Sequence, residues 1–145
     1  MDAELLRQPR GFYPLESRSG VLVRWSSRKG TLCLYPAAPI VTLRVIPGSR
    51  PPERLPVTVT LRVGERLVDR FEIPTRAAVE RRIDLPESIG LRPPARPIPF
   101  GECLPDRRGV ALTVEASSVW SAASSGDADN RHRGVALTEP TYGPP

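Results

Sequence analysis

The sequence predicts an all-β domain: an antiparallel β-sandwich, jelly-roll-like, with eight or nine short strands and a proline-rich insertion. Three observations carry this. Apolar residues recur with a period close to two, which lines alternate side chains on one sheet face and marks half-buried strands. Eighteen prolines in 145 residues leave little room for long helices, because proline removes a backbone donor and fixes φ. The strands are also separated by Pro, Gly and Ser with no helical pattern between them, which favours antiparallel hairpins over βα units.

Residues 1–10 read as a flexible N-terminal tail, with one helical turn around Leu5 and Leu6, and residues 11–145 as a single domain. Val21, Val23 and Trp25 share a face of the first strand, Leu32 and Leu34 make a second, and Cys33 is out of phase with those leucines. Val41, Leu43 and Val45 follow, with Thr42 and Arg44 pointing the other way. Val57 to Val63 and Leu67 to Ile73 flank Gly64-Glu65 and form the clearest hairpin, since glycine tolerates the positive φ of a two-residue turn. Val79, Ile83 and Leu85 form a strand ended by Pro86; Val110, Leu112 and Val114 form the next, and Val135 with Leu137 closes the series. Two long connections break the spacing, 47–56 and 86–109. The second has six prolines and no periodicity, and its length fits either a binding loop or a disordered insertion.

Net charge is +5. The twenty arginines to one lysine, Lys29, are scattered and mostly beside acidic residues, as at Glu65/Arg66, Asp69/Arg70, Glu80/Arg81 and Asp106/Arg107. A nucleic-acid surface needs clustered basic charge with interleaved aromatics, so no nucleic-acid partner is expected. Cys33 and Cys103 lack zinc-ligand spacing. The preferred reading is two free thiols in a reducing compartment, with a disulfide as the alternative. The N-terminus has no apolar run after a basic head, and no stretch approaches membrane-spanning length. A cytoplasmic location is therefore expected, unless the chain belongs to a larger membrane-anchored protein.

Candidate chemistry concentrates in residues 124–137, SSGDADNRHRGVAL. Asp127 and Asp129, with Asn130, offer oxygen ligands for calcium at alternate positions, but the EF-hand pattern is not met and a solvated turn is preferred. Asp129 with Arg131 or Arg133, joined by Glu16, suits a structural ion pair that registers the last strand against the first. His132 is the only histidine; Ser117, Ser118, Ser121, Ser124 and Ser125 lie upstream without a GxSxG elbow, so neither catalytic residues nor a cofactor are expected. Sugar rings stack on aromatic faces while their hydroxyls need planar polar groups. That chemistry singles out Trp120 and Tyr142, with Tyr13, as platforms, and Asp129, Asn130 and Arg131 as polar contacts. Trp120 is expected to be exposed and Trp25 to lie in the core.

Three segments together resemble a known family. They are Gly11-Phe12-Tyr13-Pro14-Leu15-Glu16 with Trp25 nine residues on, the VTVTLRVGERLVDRFEIP hairpin, and residues 126–137 with Asp129, Arg131, Gly134 and Val135. The chain resembles the β-sandwich accessory domain of bacterial membrane glycosyltransferases and polysaccharide biosynthesis proteins, similar in shape to galactose-binding-like jelly rolls. Val63, His132 and Arg133 depart from the usual residues. The resemblance implies a non-catalytic, carbohydrate-binding-like module with a glycan or a glycosyltransferase as partner. The alternative is an assembly domain that docks on a protein through an edge strand or the proline-rich loop.

Overall fold

The computed structural model describes residues 5–6, 8–18, 20–87, 89, 91, 93, 98–105, 108–121 and 131–143. These form eleven strands: β1 (Leu5–Leu6), β2 (Arg10–Phe12), β3 (Glu16–Arg18), β4 (Val21–Leu34), β5 (Ile40–Ile46), β6 (Val57–Val63), β7 (Arg66–Ile73), β8 (Val79–Asp84), β9 (Gly109–Ala116), β10 (Ala136–Thr138) and β11 (Thr141–Gly143). Apart from a single 3₁₀ turn at Pro52–Arg54, no helix occurs among the described residues. Every strand pair is antiparallel.

The strands form one strongly curled sheet in the order β7-β6-β9-β4-β10-β5. β10 and β11 share one edge of β5, at Val45–Ile46 and Ile40–Thr42, so β8 takes its other edge. The two ends of this order, β7 and β8, meet across the curl. Arg81 of β8 grips Asp69 of β7 with two hydrogen bonds, 2.7 and 2.9 Å, and its guanidinium lies 4.6 Å from the centre of the Phe71 ring. A forked guanidinium–carboxylate pair fixes direction as well as distance. Asp69 and Phe71 therefore join β7 to β8, which is laddered to β5, by side chains alone, with no backbone ladder between the two strands among the described residues.

The two strands predicted at 21–25 and 32–34 are one 14-residue strand. Residues 26–31, SSRKGT, contain no proline and are taken into ladders on both sides: Phe12 pairs with Ser26, and Lys29 to Leu34 pair with Glu115 to Val110. The 57–73 hairpin forms as read, with Gly64 at φ +61° in the turn. Leu5 and Leu6, read as part of a flexible tail and a helical turn, instead form β1 against Val110 and Gly109. The reason is a vacancy in the ladder. β6 covers β9 only from Leu112 to Ala116, which leaves the first two positions of β9, Gly109 and Val110, to β1.

The main core fills the inside of the curl with Leu32, Leu34, Val41, Leu43, Val45, Val57, Val59, Leu61, Ile73, Leu112, Val114 and Leu137 among others. A second cluster holds Val23, Trp25, Trp120 and Ala136, with Tyr13 and Ile46 against it. Ala136 and Leu137 are strand neighbours, as are Val45 and Ile46, and successive side chains point to opposite faces. The tryptophan cluster thus lies on the sheet's outer face. Trp25 is buried, as expected of a core residue, but in this separate layer.

Cys33 and Cys103 form a disulfide across 70 residues, which corrects the expectation of free thiols. The out-of-phase placement of Cys33 turns it to the outer face with Tyr35 and Ala111, where Ile98, Cys103 and Leu104 pack over it. Residues 98–104, the described end of the proline-rich insertion, are therefore part of the fold. Phe100 enters the main core, Cys33 N–H donates to the Gly101 carbonyl, and Leu104 N–H donates to the Tyr35 hydroxyl. Arg24 binds the Phe100 carbonyl and the Glu102 carboxylate, both at 3.1 Å.

A crosslink that closes so long a loop removes freedom mainly from the unfolded chain. Cys103→Ser is expected to lower the unfolding free energy by about 2–4 kcal/mol, measured by urea denaturation, with no alkylatable thiol in the oxidised wild-type protein. Two reactive thiols in the native protein and an unmoved midpoint would show that the residues do not pair.

Candidate functional site

The predicted site residues are dispersed: Trp120 lies in the tryptophan layer, Arg131 pairs with Glu16, and Tyr142 lines a small cleft, while a larger polar concavity holds none of them. Asp127, Asp129 and Asn130 lie outside the described residues, so the calcium reading and the Asp129 half of the ion-pair reading fall there too. Arg131 begins the described segment. Its guanidinium pairs with Glu16 at 2.5 Å and lies 5.0 Å from the centre of the Tyr13 ring, and the Tyr13 hydroxyl donates to the His132 carbonyl. Glu16 sits in β3 beside the N-terminal end of β4, so this pair joins the segment before β10 to the first strands of the domain. His132 thus contributes its backbone to this junction.

Trp120 is 5% exposed, against the expectation of an exposed platform. The cause is local. Trp120 and Arg133 exchange two backbone hydrogen bonds of 2.8 and 2.9 Å, which draws the end of β9 and the approach to β10 together over the outer face. The Trp120 ring then meets Trp25 edge-on at 5.6 Å, and the Arg133 guanidinium lies 5.1 and 5.3 Å from the two ring centres. Gly48 completes the packing, since a Cβ there would collide with both indoles. The Trp120 indole N–H is buried with no hydrogen-bond partner among the described residues. This aromatic pair is structural and offers no open face to a sugar ring.

Arg50 is fully buried and was missed in the sequence because it sits in the connection 47–56. Its guanidinium donates to the Ser118 hydroxyl at 2.7 Å, to the Ser118 carbonyl at 3.2 Å and to the Gly134 carbonyl. Among the described residues no carboxylate pairs with it. Burial, then the nearby charge of Arg54, push its pKa down to about 10, so it stays cationic at neutral pH. The buried charge is held by carbonyl dipoles, which a planar fork can reach together and an ammonium cannot.

The first concavity lies on the outer face of the β4-β9-β6 part of the sheet and encloses about 600 Å³. Thr31 and Thr113, hydroxyls 3.1 Å apart, form its floor, and Arg10, Lys29, Arg62 and Glu115 form its rim. Arg62 and Glu115 pair at 3.3 Å while each stays more than a third exposed. Thr31, Thr113 and Arg62 occupy strand positions between core residues, so alternation alone turns them outward. That alternation was the available signal; their convergence on neighbouring strands was not.

The second concavity, about 170 Å³, lies between β11 and residues 98–101. Tyr142, one of the predicted ligand residues, lines it with Tyr35, Phe100, Ile98, Pro140 and Glu139. Burial, then the Glu139 charge, raise the Tyr142 hydroxyl to about 12. Trp120 and Arg131 line neither concavity, so the structure does not bring Trp120, Arg131 and Tyr142 into one site. No helix among the described residues is long and apolar enough to cross a membrane. Comparison with family models, with curated proteins and with solved structures finds no match to the chain.

Arg50→Lys is expected to destabilise the fold by about 2–4 kcal/mol, because the ammonium leaves buried carbonyls unpaired. Equilibrium unfolding measures this, and a variant as stable as wild type would remove Arg50 from the frame of the molecule.

Proposed function

We propose that this domain is a non-catalytic module that binds a hydroxyl-rich, carbohydrate-like ligand on the outer sheet face lined by Thr31, Thr113, Arg62, Glu115, Arg10 and Lys29. The observation that carries the reading is the mixture of groups in one open cleft. Hydroxyls, guanidinium groups, an ammonium and a carboxylate supply donors and acceptors in the proportions a polyol needs. With Trp120 enclosed, recognition at this face rests on hydrogen bonding and charge, with no aromatic platform among its described lining residues. Arg10, Lys29 and Arg62 stand with Glu65 and Glu115, so the face offers partners both to hydroxyls and to the carboxylates of an acidic glycan.

The finer architecture we propose is sandwich-like. Two observations support it: β4 hands over from β10 to β9, and β7 meets β8 across the core. The three resembling sequence segments support a role in bacterial glycan or envelope biosynthesis beside a glycosyltransferase. The disulfide favours maturation in an oxidising compartment over the cytoplasmic location expected from the sequence. A second reading, an assembly domain, is favoured by Val21 and Leu22, which stand 48% and 43% exposed beside edge strand β3.

Glycan arrays followed by calorimetry with neutral and uronic-acid oligosaccharides test the first reading. Arg62→Ala and Thr113→Val are each expected to weaken the bound oligosaccharide about tenfold with the native fold retained, Thr113→Val also lowering the unfolding midpoint because the buried Thr31 hydroxyl loses its partner. Binding to no glycan, or affinity indifferent to both substitutions, would remove this reading; a stable oligomer that Leu22→Asp dissociates would establish the second.

A further inference from the structure

We infer that the cleft between β11 and residues 98–101 is a separate binding site for an organic cation of the alkylammonium class. Its size, lining and charge agree on this occupant. A volume of about 170 Å³ admits a small head group and excludes an extended chain. The lining is mainly apolar, with Tyr142, the buried Tyr35 and Phe100, and the aliphatic Ile98 and Pro140. Such a surface takes up methyl groups, and Tyr142, the least buried of the three rings, is the one placed to give a cation an aromatic partner.

Charge decides between a cation and a neutral apolar group. Glu139 is the single charged side chain among the described lining residues, and the adjacent Arg24 guanidinium is already bound to the Phe100 carbonyl and the Glu102 carboxylate. It sits exposed at the mouth, so its carboxylate remains hydrated until a ligand arrives. Burial, and then the charge of Glu139, raise the pKa of the Tyr142 hydroxyl, so the carboxylate acts on a residue of the cleft wall. A polyol would need several hydrogen-bonding groups, and this lining supplies few. An anion would meet Glu139 alone.

The wall opposite β11 is held firmly. Residues 98–101 are fixed by the Cys33–Cys103 disulfide, the Cys33 N–H to Gly101 carbonyl bond and the Arg24 contact to the Phe100 carbonyl. The cleft is consequently preformed and needs no ordering of the loop on binding, which spares the ligand that entropic cost. The site shares no described lining residue with the polar sheet face, so either can fail without the other.

The test is an NMR titration of the full-length, oxidised protein with tetramethylammonium and choline, and with 3,3-dimethylbutan-1-ol as the neutral isostere of choline. The expected result is a saturable shift of the Glu139, Thr141, Tyr142, Phe100 and Gly101 amides by both cations, with the neutral isostere roughly tenfold weaker. Glu139→Gln reduces choline to the affinity of the isostere, while Tyr142→Phe, which keeps the ring, binds choline as wild type does. Glu139 is exposed, so its substitution leaves the fold intact, and an unchanged amide spectrum elsewhere verifies this. Absence of a saturable shift with either cation, equal affinity for choline and its isostere, or choline affinity unaffected by Glu139→Gln would each overturn the assignment.

Discussion

At Ser26 the backbone of β4 is clamped to the chain that enters β10. Ser26 N–H donates to the Val135 carbonyl at 2.7 Å, the Ser26 carbonyl accepts from Gly134 N–H at 2.8 Å, and the Ser26 hydroxyl accepts from Val135 N–H at 3.1 Å. Gly134 can lie this close only because it has no side chain; a Cβ would run into the Ser27 carbonyl and the Ser26 hydroxyl. On the N-terminal side of this clamp β4 is laddered to β10 and β3, and from Lys29 onward to β9. The junction therefore joins the two halves of the curled sheet through one strand. The closing contact of Asp69 with Arg81 depends on it, because β7 and β8 belong to opposite halves.

Two buried arginines extend the clamp to both sides. Arg50 reaches the Gly134 carbonyl and Ser118, tying the connection after β5 to the segment after β9. Arg133, one residue before Gly134, spreads its charge over the faces of Trp25 and Trp120. Removing a guanidinium from water is costly, and carbonyls and ring faces offset that cost only when they are held in place. Each arginine is thus sound only while the clamp is formed. Strand pairing, aromatic packing and buried charge then support one arrangement.

The all-β class, the 57–73 hairpin and most strand positions were legible in the sequence, because period-two alternation and turn glycines are local signals. Three features were not. The length of β4 was hidden because SSRKGT has weak strand character by itself and is carried by partners far away in sequence. The burial of Trp120 follows from a backbone bridge to Arg133, which no local pattern announces. Cys33 and Cys103 gave no spacing that argues for pairing; only the return of residues 98–104 onto the outer face brings them together. For the site, Arg131 and Tyr142 were named from residue chemistry, yet the structure puts them in different places. Thr31, Thr113 and Arg62 were not named as site residues from the sequence; alternation with the strand leucines and valines was the one local signal for them, and it carries no sign that they share a floor and rim.

The proposed sheet-face cleft and the cation cleft both stand on this frame, one on β4 and β9, the other on the loop pinned to β4. Native-state hydrogen exchange tests the central claim most directly, since amides that open only with the whole molecule report its global stability. The account predicts that the amides of Ser26, Gly134 and Val135 exchange at the free energy of global unfolding and shift together with it in denaturant. Exchange of these three amides by local opening, while those of β6 and β9 stay protected, would contradict it.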